Sequence, residues 1–278
     1  MAENCNSGQI KYLDLALKIF DQLKLTPQIG IEWEFYLEKS AKKPEFSQID
    51  KFISSLKSNI EAEKILLLDV EKEQGEGQIE VKTTPYKNIK LLCQDLTKIK
   101  EICHKTAQNL DLACDFSAQK YDYDCSNSLQ FNLSLVDEKS VNIFAKNNNQ
   151  ENQTMLFCIG GILQDIKKYL PFLAPHKKDQ KRFDFDLNVN LHKNGKYSAP
   201  VNISWGYDNR TALLRIVGQG QNRRIEFRPC PANCDFAIAL AYFLKMAADG
   251  IINQTKAPKA IYGNAFDEQY FLEKLNSS

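Results

Sequence analysis

The stretch IGIEWEFYLEK (residues 29–39) places two carboxylates inside a run that otherwise has the composition of a buried strand. Side chains two residues apart in a β-strand point to the same side, so Glu32 and Glu34 share one face while Trp33 and Phe35 share the other. Adjacent carboxylates repel each other, and they are tolerated where the face is open to water or where a cation lies between them. The stretch therefore predicts either a solvated strand face or one wall of a cation site.

The same alternation of acidic and apolar residues recurs in two later segments. Glu80 and Glu226 each lie between two apolar residues, in QIEV (78–81) and RIEF (224–227). We predict that these acids project from their strands onto the same sheet surface as the acids of the first stretch. Carboxylate oxygens are the ligands that Mg²⁺ and Mn²⁺ prefer, so this surface is a candidate site for divalent cations.

Arginines interleave with these acids. Arg224 and Arg228 lie two residues to either side of Glu226 and share its face, whereas Arg210 and Arg215 lie five residues apart in NRTALLRI. Such a surface suits a metal-bound polyphosphate, because cations bridge its oxygens and arginine neutralises charge on the transferred group. The alternative is a lattice of surface salt bridges across strands, which would contribute little to stability. The spacing alone leaves both interpretations open.

Composition and charge restrict the class of protein. A chain of 278 residues that is 43% hydrophobic can form one large domain or two small ones. Its 36 basic and 35 acidic residues give a net charge of +1, which predicts no overall attraction to nucleic acid or to an anionic membrane. The sequence contains neither a run of roughly 20 apolar residues nor a signal-peptide pattern, so we expect a cytoplasmic protein. The eight cysteines are expected to be reduced core thiols.

Hydrophobic periodicity predicts one α+β domain, with an antiparallel sheet and helices on its outer side. Helices are expected at residues 8–25, 47–60, 88–110, 152–170 (closed by Pro171) and 234–251. Strands are expected at 29–39, on both sides of a glycine-containing turn near 75–77, at 129–135, at 200–207, and as a pair across GQGQ (218–221). Residues 182–199 alternate like a hairpin with a turn at Asn194-Gly195, and residues 139–153 have the composition of a surface loop.

Six segments together resemble, in order, motifs of the glutamine synthetase catalytic domain. They are GIEWEFYL (30–37), GEGQIEV (75–81), SLQFNLSL (128–135), FCIGGILQDI (157–166) with PFLAP (171–175), APVNISWGYDNRTALLRI (199–216) and RRIEFRPCPANCDFAIALAYFLKMAADGI (223–251). The resemblance implies a curved antiparallel sheet with flanking helices, whose concave face binds ATP and two Mg²⁺ or Mn²⁺ ions for ligase chemistry through an acyl phosphate. We accordingly expect an N-terminal helix and lead-in over residues 1–28 and the catalytic-domain-like part over residues 29–278.

The resemblance also implies roles for individual residues. The ligands of a first metal ion would be Glu34, Glu73 and Glu80. The ligands of a second metal ion would be Glu32, Glu226 and Gln130. The residues that bind nucleotide phosphates would be Arg215, Arg224 and Ser134. Catalysis and substrate binding would fall to Arg210 and Arg228, with Arg182 holding the α-carboxylate of glutamate.

The sequence departs from the family pattern at four places. Only about 28 residues precede GIEWEF, where the family has a small β-grasp domain. Gln130 and Asn132 stand where the family has histidines, and DCSNS (124–128) stands in place of the loop that cradles the amino acid. Ser198 stands where a glutamate closes over the substrate, and a serine cannot take a proton from ammonium as that acid does, so glutamine synthesis itself is not expected.

The favoured hypothesis is therefore an ATP-dependent carboxylate–amine ligase that acts on glutamate or a related acid with an amine other than ammonia. A second enzymatic hypothesis is ATP-dependent phosphorylation of another acceptor. A hypothesis of a different class is a catalytically weak, nucleotide-binding protein that acts by association with a partner. The expected partners are small-molecule acids and amines, without nucleic acid or membrane, and a homo-oligomer is possible.

Overall fold

One sheet of eight strands organises the computed structural model, which describes residues 7–39, 42–146 and 150–275. The strands are β1 (Thr26–Glu38), β2 (Leu67–Lys72), β3 (Gln78–Thr83), β4 (Ala113–Asp115), β5 (Leu129–Val136), β6 (Trp205–Tyr207), β7 (Leu214–Val217) and β8 (Arg224–Phe227). Their order across the sheet is β2-β3-β1-β5-β8-β7-β6, with β4 also paired to β1. The helices are α1 (Ser7–Gln22), α2 (Phe46–Ala62), α3 (Ile89–Gln108), α4 (Gln153–Leu173), α5 (Lys177–Gln180), α6 (Phe185–Lys193) and α7 (Phe236–Ile252).

The helices cover one face of the sheet and bury its apolar side chains. On β1, Trp33 and Phe35 are buried, and Phe35 contacts Phe52 of α2 edge-on at 6.1 Å between ring centroids. On β8, Phe227 stacks on Phe243 of α7 at 4.4 Å. Because side chains alternate along a strand, the acids between these residues project from the opposite face, which confirms the predicted orientation of Glu32 and Glu34.

Strand pairing brings the acidic segments side by side. In the antiparallel pair β1–β3, Glu34 lies opposite Glu80, and in the antiparallel pair β1–β5, Glu32 lies opposite Gln130. The predicted strand pairs around the glycine-containing turn and across GQGQ are confirmed as β2–β3 and β7–β8, both antiparallel. These registers carry polar side chains from strands far apart in sequence to one surface.

The predicted α+β fold with an antiparallel sheet is confirmed, and the one parallel pair among the described strands lies at the far edge, between β6 and β7. The connection between them turns back through Asp208, which adopts a left-handed φ of 47°. Asn209 then accepts hydrogen bonds from the backbone N–H and the hydroxyl of Thr211, at 3.0 and 2.6 Å. This compact loop returns the chain to the beginning of β6, so that Leu214 pairs with Trp205.

The predicted hairpin over residues 182–199 is wrong, because its centre is helix α6. The Asp184 side chain caps this helix by accepting a hydrogen bond from the backbone N–H of Leu187 at 2.8 Å. Asn188 and Leu191, three residues apart, form the buried face of α6. Gly195 does have a positive φ of 74°, but it follows the end of a helix instead of joining two strands. Of the strand predicted at 200–207, only β6 forms.

Smaller differences concern the ends of elements. Helix α4 passes through Pro171 and ends at Leu173, so this proline does not close it. The predicted loop at 139–153 contains turns at 143–144, residues 147–149 lie outside the described residues, and α4 already begins at Gln153. Residues 1–6 of the predicted lead-in, including Cys5, and residues 276–278 also lie outside them. Strand β1 begins at Thr26, and the division of the chain at residue 28 stays a prediction.

The described cysteines agree with the prediction of core thiols. Among residues 7–39, 42–146 and 150–275, no cysteine forms a disulfide, and all but Cys114 are buried. Within the described part of the chain, no helix combines the length and the apolar character needed to span a bilayer.

Candidate active site

A polar cavity of about 350 Å³ lies on the sheet face opposite the helices. Its carboxylates are Glu32, Glu34, Glu71, Glu73 and Glu80. Its cationic side chains are Lys82, Arg210, Arg215, Arg224 and Arg228, and its other lining residues are Gln74, Gln130 and Tyr197. The structure therefore brings together most of the predicted site residues, and the exceptions are Glu226, Ser134 and Arg182. We call the part formed by β1, β2 and β3 the acidic side and the part formed by β5, β7 and β8 the arginine side.

Two carboxylates on the acidic side, Glu34 and Glu80, are buried close to each other. Glu34 accepts hydrogen bonds from the backbone N–H of Ser128 at 2.8 Å and from Gln130 Nε2 at 3.0 Å. Burial and the charge of Glu73 nevertheless raise the pKa of Glu34 to about 7. Burial, together with the charges of Glu32 and Glu34, raises the pKa of Glu80 to about 9. Ionisation of both carboxylates is therefore unfavourable in the protein without a bound cation.

Glu73 reaches this cavity through the turn between β2 and β3. The turn is closed by hydrogen bonds from Glu73 N to Gln78 O at 2.9 Å and from Gln78 N to Gly75 O at 3.0 Å. Gly77 adopts a left-handed φ of 83°, and a Cβ at Gly75 would lie 2.1 Å from the Tyr36 hydroxyl oxygen. The two glycines of GEG therefore permit the tight turn that places Glu73 near Glu80.

Lys82 is a cavity residue that the sequence reasoning missed. Its ammonium group lies 2.7 Å from Glu80 Oε2 and also binds Glu71. Burial opposes its charge, but these two carboxylates raise the pKa of Lys82. The signal was present in the sequence, because Lys82 follows Glu80 by two residues and therefore shares its face.

On the arginine side, Glu226 lies beneath the cavity instead of lining it. Only 1% of its surface is exposed. Its Oε1 lies 2.5 Å from Arg228 Nη1, and its Oε2 lies 2.9 Å from Arg215 Nη1. Although burial opposes ionisation, these two guanidinium groups hold the pKa of Glu226 below its usual value. Glu226 is an ionised carboxylate whose two oxygens are both bound by protein cations.

Two amides on β5 connect the acidic strands to the arginines. Gln130 Nε2 donates to Glu34, and Gln130 Oε1 accepts from Arg228 Nη1 at 3.0 Å. Asn132 Nδ2 donates to Glu32 Oε1 at 3.0 Å, and Asn132 Oδ1 accepts from Arg224 Nε at 2.8 Å. Each amide thus bridges one glutamate of β1 and one arginine at an end of β8, Arg224 in its first position or Arg228 directly after it. Asn132 was noted in the sequence only as a departure from a motif.

Two predicted substrate and nucleotide residues lie outside the cavity. Arg182 is buried, and its Nη1 donates to Pro229 O at 2.5 Å, while its Nε has no hydrogen-bond partner. Ser134 lines a neighbouring cavity of about 530 Å³, which shares Glu32, Lys82 and Arg224 with the first. The two cavities therefore adjoin at these three side chains, and Ser134 lies on the far side of that junction.

Three consecutive residues, 196–198, bind neighbouring segments through an ion pair and hydrogen bonds. Lys196 Nζ lies 2.6 Å from Asp124 Oδ1, and Tyr197 N donates to Gln74 Oε1 at 2.6 Å. The hydroxyls of Ser198 and Ser126 lie 2.7 Å apart. This series of contacts holds Tyr197 at the wall of the cavity.

The two metal-ligand sets that the family resemblance implies differ in how well they fit a divalent ion. Within the described ranges, no three acidic, histidine or cysteine side chains are gathered in an arrangement that would hold a metal ion. The first predicted set, Glu34, Glu73 and Glu80, is thus not gathered around one point, but it fits a divalent ion by its chemistry, because it offers only carboxylate oxygens. The second set, Glu32, Glu226 and Gln130, does not fit, because both oxygens of Glu226 bind guanidinium groups and the carbonyl oxygen of Gln130 accepts from Arg228.

Comparisons with known proteins identify the family of this chain. Residues 39–275 match the family model "Glutamine synthetase, catalytic domain". The chain is 21% identical over 198 residues to gamma-glutamylputrescine synthetase PuuA of Escherichia coli (strain K12), covering 71% of this chain and 40% of that protein. It is 28% identical over 206 residues to gamma-glutamylethanolamide synthetase GlnA4 of Streptomyces coelicolor, covering 73% of this chain and 42% of that protein. The chain thus spans less than half the length of these two relatives.

A solved structure has the same fold. The structure described as "GmaS/ADP complex-Conformation 1" superposes with a TM-score of 0.84 at 18% identity, covering 96% of this chain and 65% of that chain. A glutamine synthetase of Halobacterium salinarum is 25% identical over 263 residues, or 88% of this chain and 56% of that protein. Both the sequence motifs and the arrangement of the sheet agree with the family model, and the chain belongs to the glutamine synthetase family through its catalytic domain.

Proposed function

We propose that the chain is an ATP-dependent ligase that joins glutamate, or a related acid, to an amine other than ammonia through an acyl phosphate. The observation that carries this proposal is the convergence of carboxylates from β1 and β3 with arginines from β7 and β8 around one cavity. Two of the relatives are named for the synthesis of γ-glutamyl amides, which supports the same reaction class.

The two adjoining cavities suit a nucleotide that enters from the side of Ser134. A base and ribose in the larger cavity would direct the phosphates past Arg224, which lines both cavities. Glu34, Glu73 and Glu80 would hold a divalent ion, which would supply positive charge beside the phosphates. We assign the binding of the nucleotide phosphates to Arg215 and Arg224, and stabilisation of the transferred phosphoryl group to Arg210, which is exposed at the cavity, and Arg228.

The chemistry explains why such a site needs this many cations. A carboxylate is a poor electrophile at neutral pH, and its phosphorylation supplies a leaving group that an amine can displace. Negative charge accumulates on the phosphoryl oxygens during the transfer, and the guanidinium groups stabilise that charge in the transition state. We propose that Arg228 and Arg210 act on this step, whereas the binding of an α-carboxylate by Arg182 stays a prediction.

The surroundings of Ser198 support an organic amine as the acceptor. Its hydroxyl is bonded to Ser126 and offers no carboxylate to take a proton from ammonium. A pocket of about 340 Å³ shares Tyr197 and Arg210 with the active-site cavity, and Tyr207 and Tyr262 also line it. Aromatic faces bind organic ammonium groups favourably, so we assign this pocket to the organic amine.

The test is ADP release by the purified chain with ATP, MgCl₂ or MnCl₂ and glutamate, in the presence of ammonium, ethanolamine or putrescine. We expect ADP and the corresponding γ-glutamyl amide, identified by mass spectrometry, with an organic amine at least about tenfold above ammonium. The Arg210→Met variant should lose at least about a hundredfold of this activity. The exposed Lys178→Met variant is the matched control, since it also removes one cation but lies outside the cavity.

A second candidate function is a catalytically weak nucleotide-binding protein that acts by association with a partner. The observation that favours it is the enclosure of Glu226 by two arginines, which ties both guanidinium groups to the protein. Binding of ATP in calorimetry without ADP release for any amine would support this candidate and contradict the ligase. A cytoplasmic location and a homo-oligomer stay predictions.

A further inference from the structure

The second predicted metal set is a network of protein cations and amides. We call Glu34, Glu73 and Glu80 the first set, and Glu32, Glu226 and Gln130 the second set. Members of the first set accept hydrogen bonds from neutral donors or face one another, apart from the contact between Glu80 and Lys82. In the second set, Glu226 and Gln130 bind arginine directly. Glu32 reaches Arg224 through the amide of Asn132, as Glu34 of the first set reaches Arg228 through the amide of Gln130.

Glu226 is the clearest member of this network. Its two carboxylate oxygens each bind a different guanidinium group, and the side chain is almost wholly buried. A divalent ion that used either oxygen would have to lie beside Arg215 or Arg228, and like charges in a buried setting repel strongly. Neither arginine can move away without leaving a buried carboxylate partly unpaired.

The two amides complete the network. Gln130 uses its NH₂ group on Glu34 and its carbonyl on Arg228, so its orientation is determined by an acid on one side and a cation on the other. Asn132 is oriented in the same way between Glu32 and Arg224. An amide suits this bridge because it both donates and accepts, which a metal-binding imidazole with one free nitrogen lone pair could not do while it held an ion.

We infer that the cavity takes one divalent ion, at the first set, and that the second set orients arginines instead of binding a metal. The second set thereby fixes Arg215, Arg224 and Arg228 toward the cavity without a second ion. This inference rests on the proposed function only in treating the first set as a metal site. In this role Glu226, Gln130 and Asn132 are positioning residues that act through the arginines.

The test is a titration of the purified, nucleotide-free chain with Mn²⁺, in which electron paramagnetic resonance measures the free ion. We expect one bound ion per chain. Glu73→Gln, which removes a first-set charge, should weaken binding of that ion at least about tenfold. Glu32→Gln is the matched second-set variant, because it makes the same change on a partly exposed side chain in the same cavity. It should leave one bound ion and weaken its binding less than Glu73→Gln does, because Glu32 acts on the first set only through its charge.

Two ions per chain, or none, would overturn the inference, and so would the loss of an ion in Glu32→Gln comparable to that in Glu73→Gln. The stoichiometry of the unmodified chain decides the main point, so the test does not depend on the folding of a variant. A chain that binds one Mn²⁺ but releases no ADP with any amine would contradict the proposed function and support this inference.

Discussion

The two sides of the cavity handle buried carboxylates in opposite ways. On the acidic side, Glu34 and Glu80 lie close to other acids, and burial with these neighbours raises the pKa of each. On the arginine side, Glu226 is buried even more completely, yet Arg228 and Arg215 overcome the effect of burial and lower its pKa. Buried glutamates on the two sides therefore have opposite shifts of pKa, set by the charges of their neighbours.

The difference shows which carboxylates remain available to a ligand. A carboxylate whose two oxygens bind guanidinium groups would have to give up an ion pair to bind a metal, and this would leave a buried charge unpaired. Carboxylates that face one another lower the stability of the metal-free protein, and a bound cation would relieve their repulsion. The carboxylates of the acidic side thus remain available to a cation, whereas the carboxylate of the arginine side orients the neighbouring arginines.

The largest expected effect comes from removing a partner on the arginine side. Arg228→Met should lower the free energy of unfolding by about 3 kcal/mol, because the buried Glu226 would lose its buried partner and keep only the partly exposed Arg215. Urea denaturation monitored by circular dichroism measures this loss. Arg210→Met, at an exposed arginine of the same cavity, should change the free energy of unfolding by less than about 0.5 kcal/mol. Equal effects of the two substitutions would contradict the division into two sides.

A smaller effect is expected at Asp124, a paired carboxylate outside the cavity. Burial opposes its ionisation, but Lys196 and the backbone N–H groups of Cys125 and Glu76 hold the pKa of Asp124 below its ordinary value. Asp124→Asn should therefore cost about 2 kcal/mol of unfolding free energy at pH 7. The exposed neighbour Asp122 supplies the control variant Asp122→Asn, which should have little effect.

The pH dependence of that loss follows from the sign of the shift. A carboxyl group whose pKa is lower in the folded state stabilises the protein above its unfolded pKa, near 3.8, and this contribution disappears as the pH falls through the folded pKa. The difference between wild type and Asp124→Asn should be constant near neutrality and shrink below about pH 4. A difference that instead grew on acidification would show that Asp124 is not an ionised, paired group.

The smallest expected effect concerns the cation on the acidic side. Lys82→Met removes the ammonium group that lies against Glu80, so Mn²⁺ should bind about tenfold more tightly, equivalent to about 1.4 kcal/mol. Lys72→Met is the control, because Lys72 belongs to the same pair of strands but pairs with Asp50 on α2. Unchanged or weaker Mn²⁺ binding by Lys82→Met would show that Lys82 assists the site instead of competing for it.

Local rules predicted the parts of the site that depend on one strand at a time. Alternation along β1 placed Glu32 and Glu34 on the polar face, and Gln130 and Asn132 obey the same rule on β5. The same alternation misled the prediction at residues 182–199. There the cap at Asp184 and the buried pair Asn188 and Leu191 favour a helix, and a two-residue pattern could not distinguish it from a hairpin.

The sequence by itself determined the family, the strands that carry the acids and arginines, and the face from which they project, because these depend on motif spacing and on the period of a strand. Only the tertiary structure decided which charges pair. Glu226 meets Arg215 across β7 and β8, Gln130 and Asn132 bridge β1 to β8, and Lys82 reaches Glu80 and Glu71. These partners are set by register between strands and by side-chain length, and the balance of charge at each carboxylate depends on distances that sequence spacing does not contain.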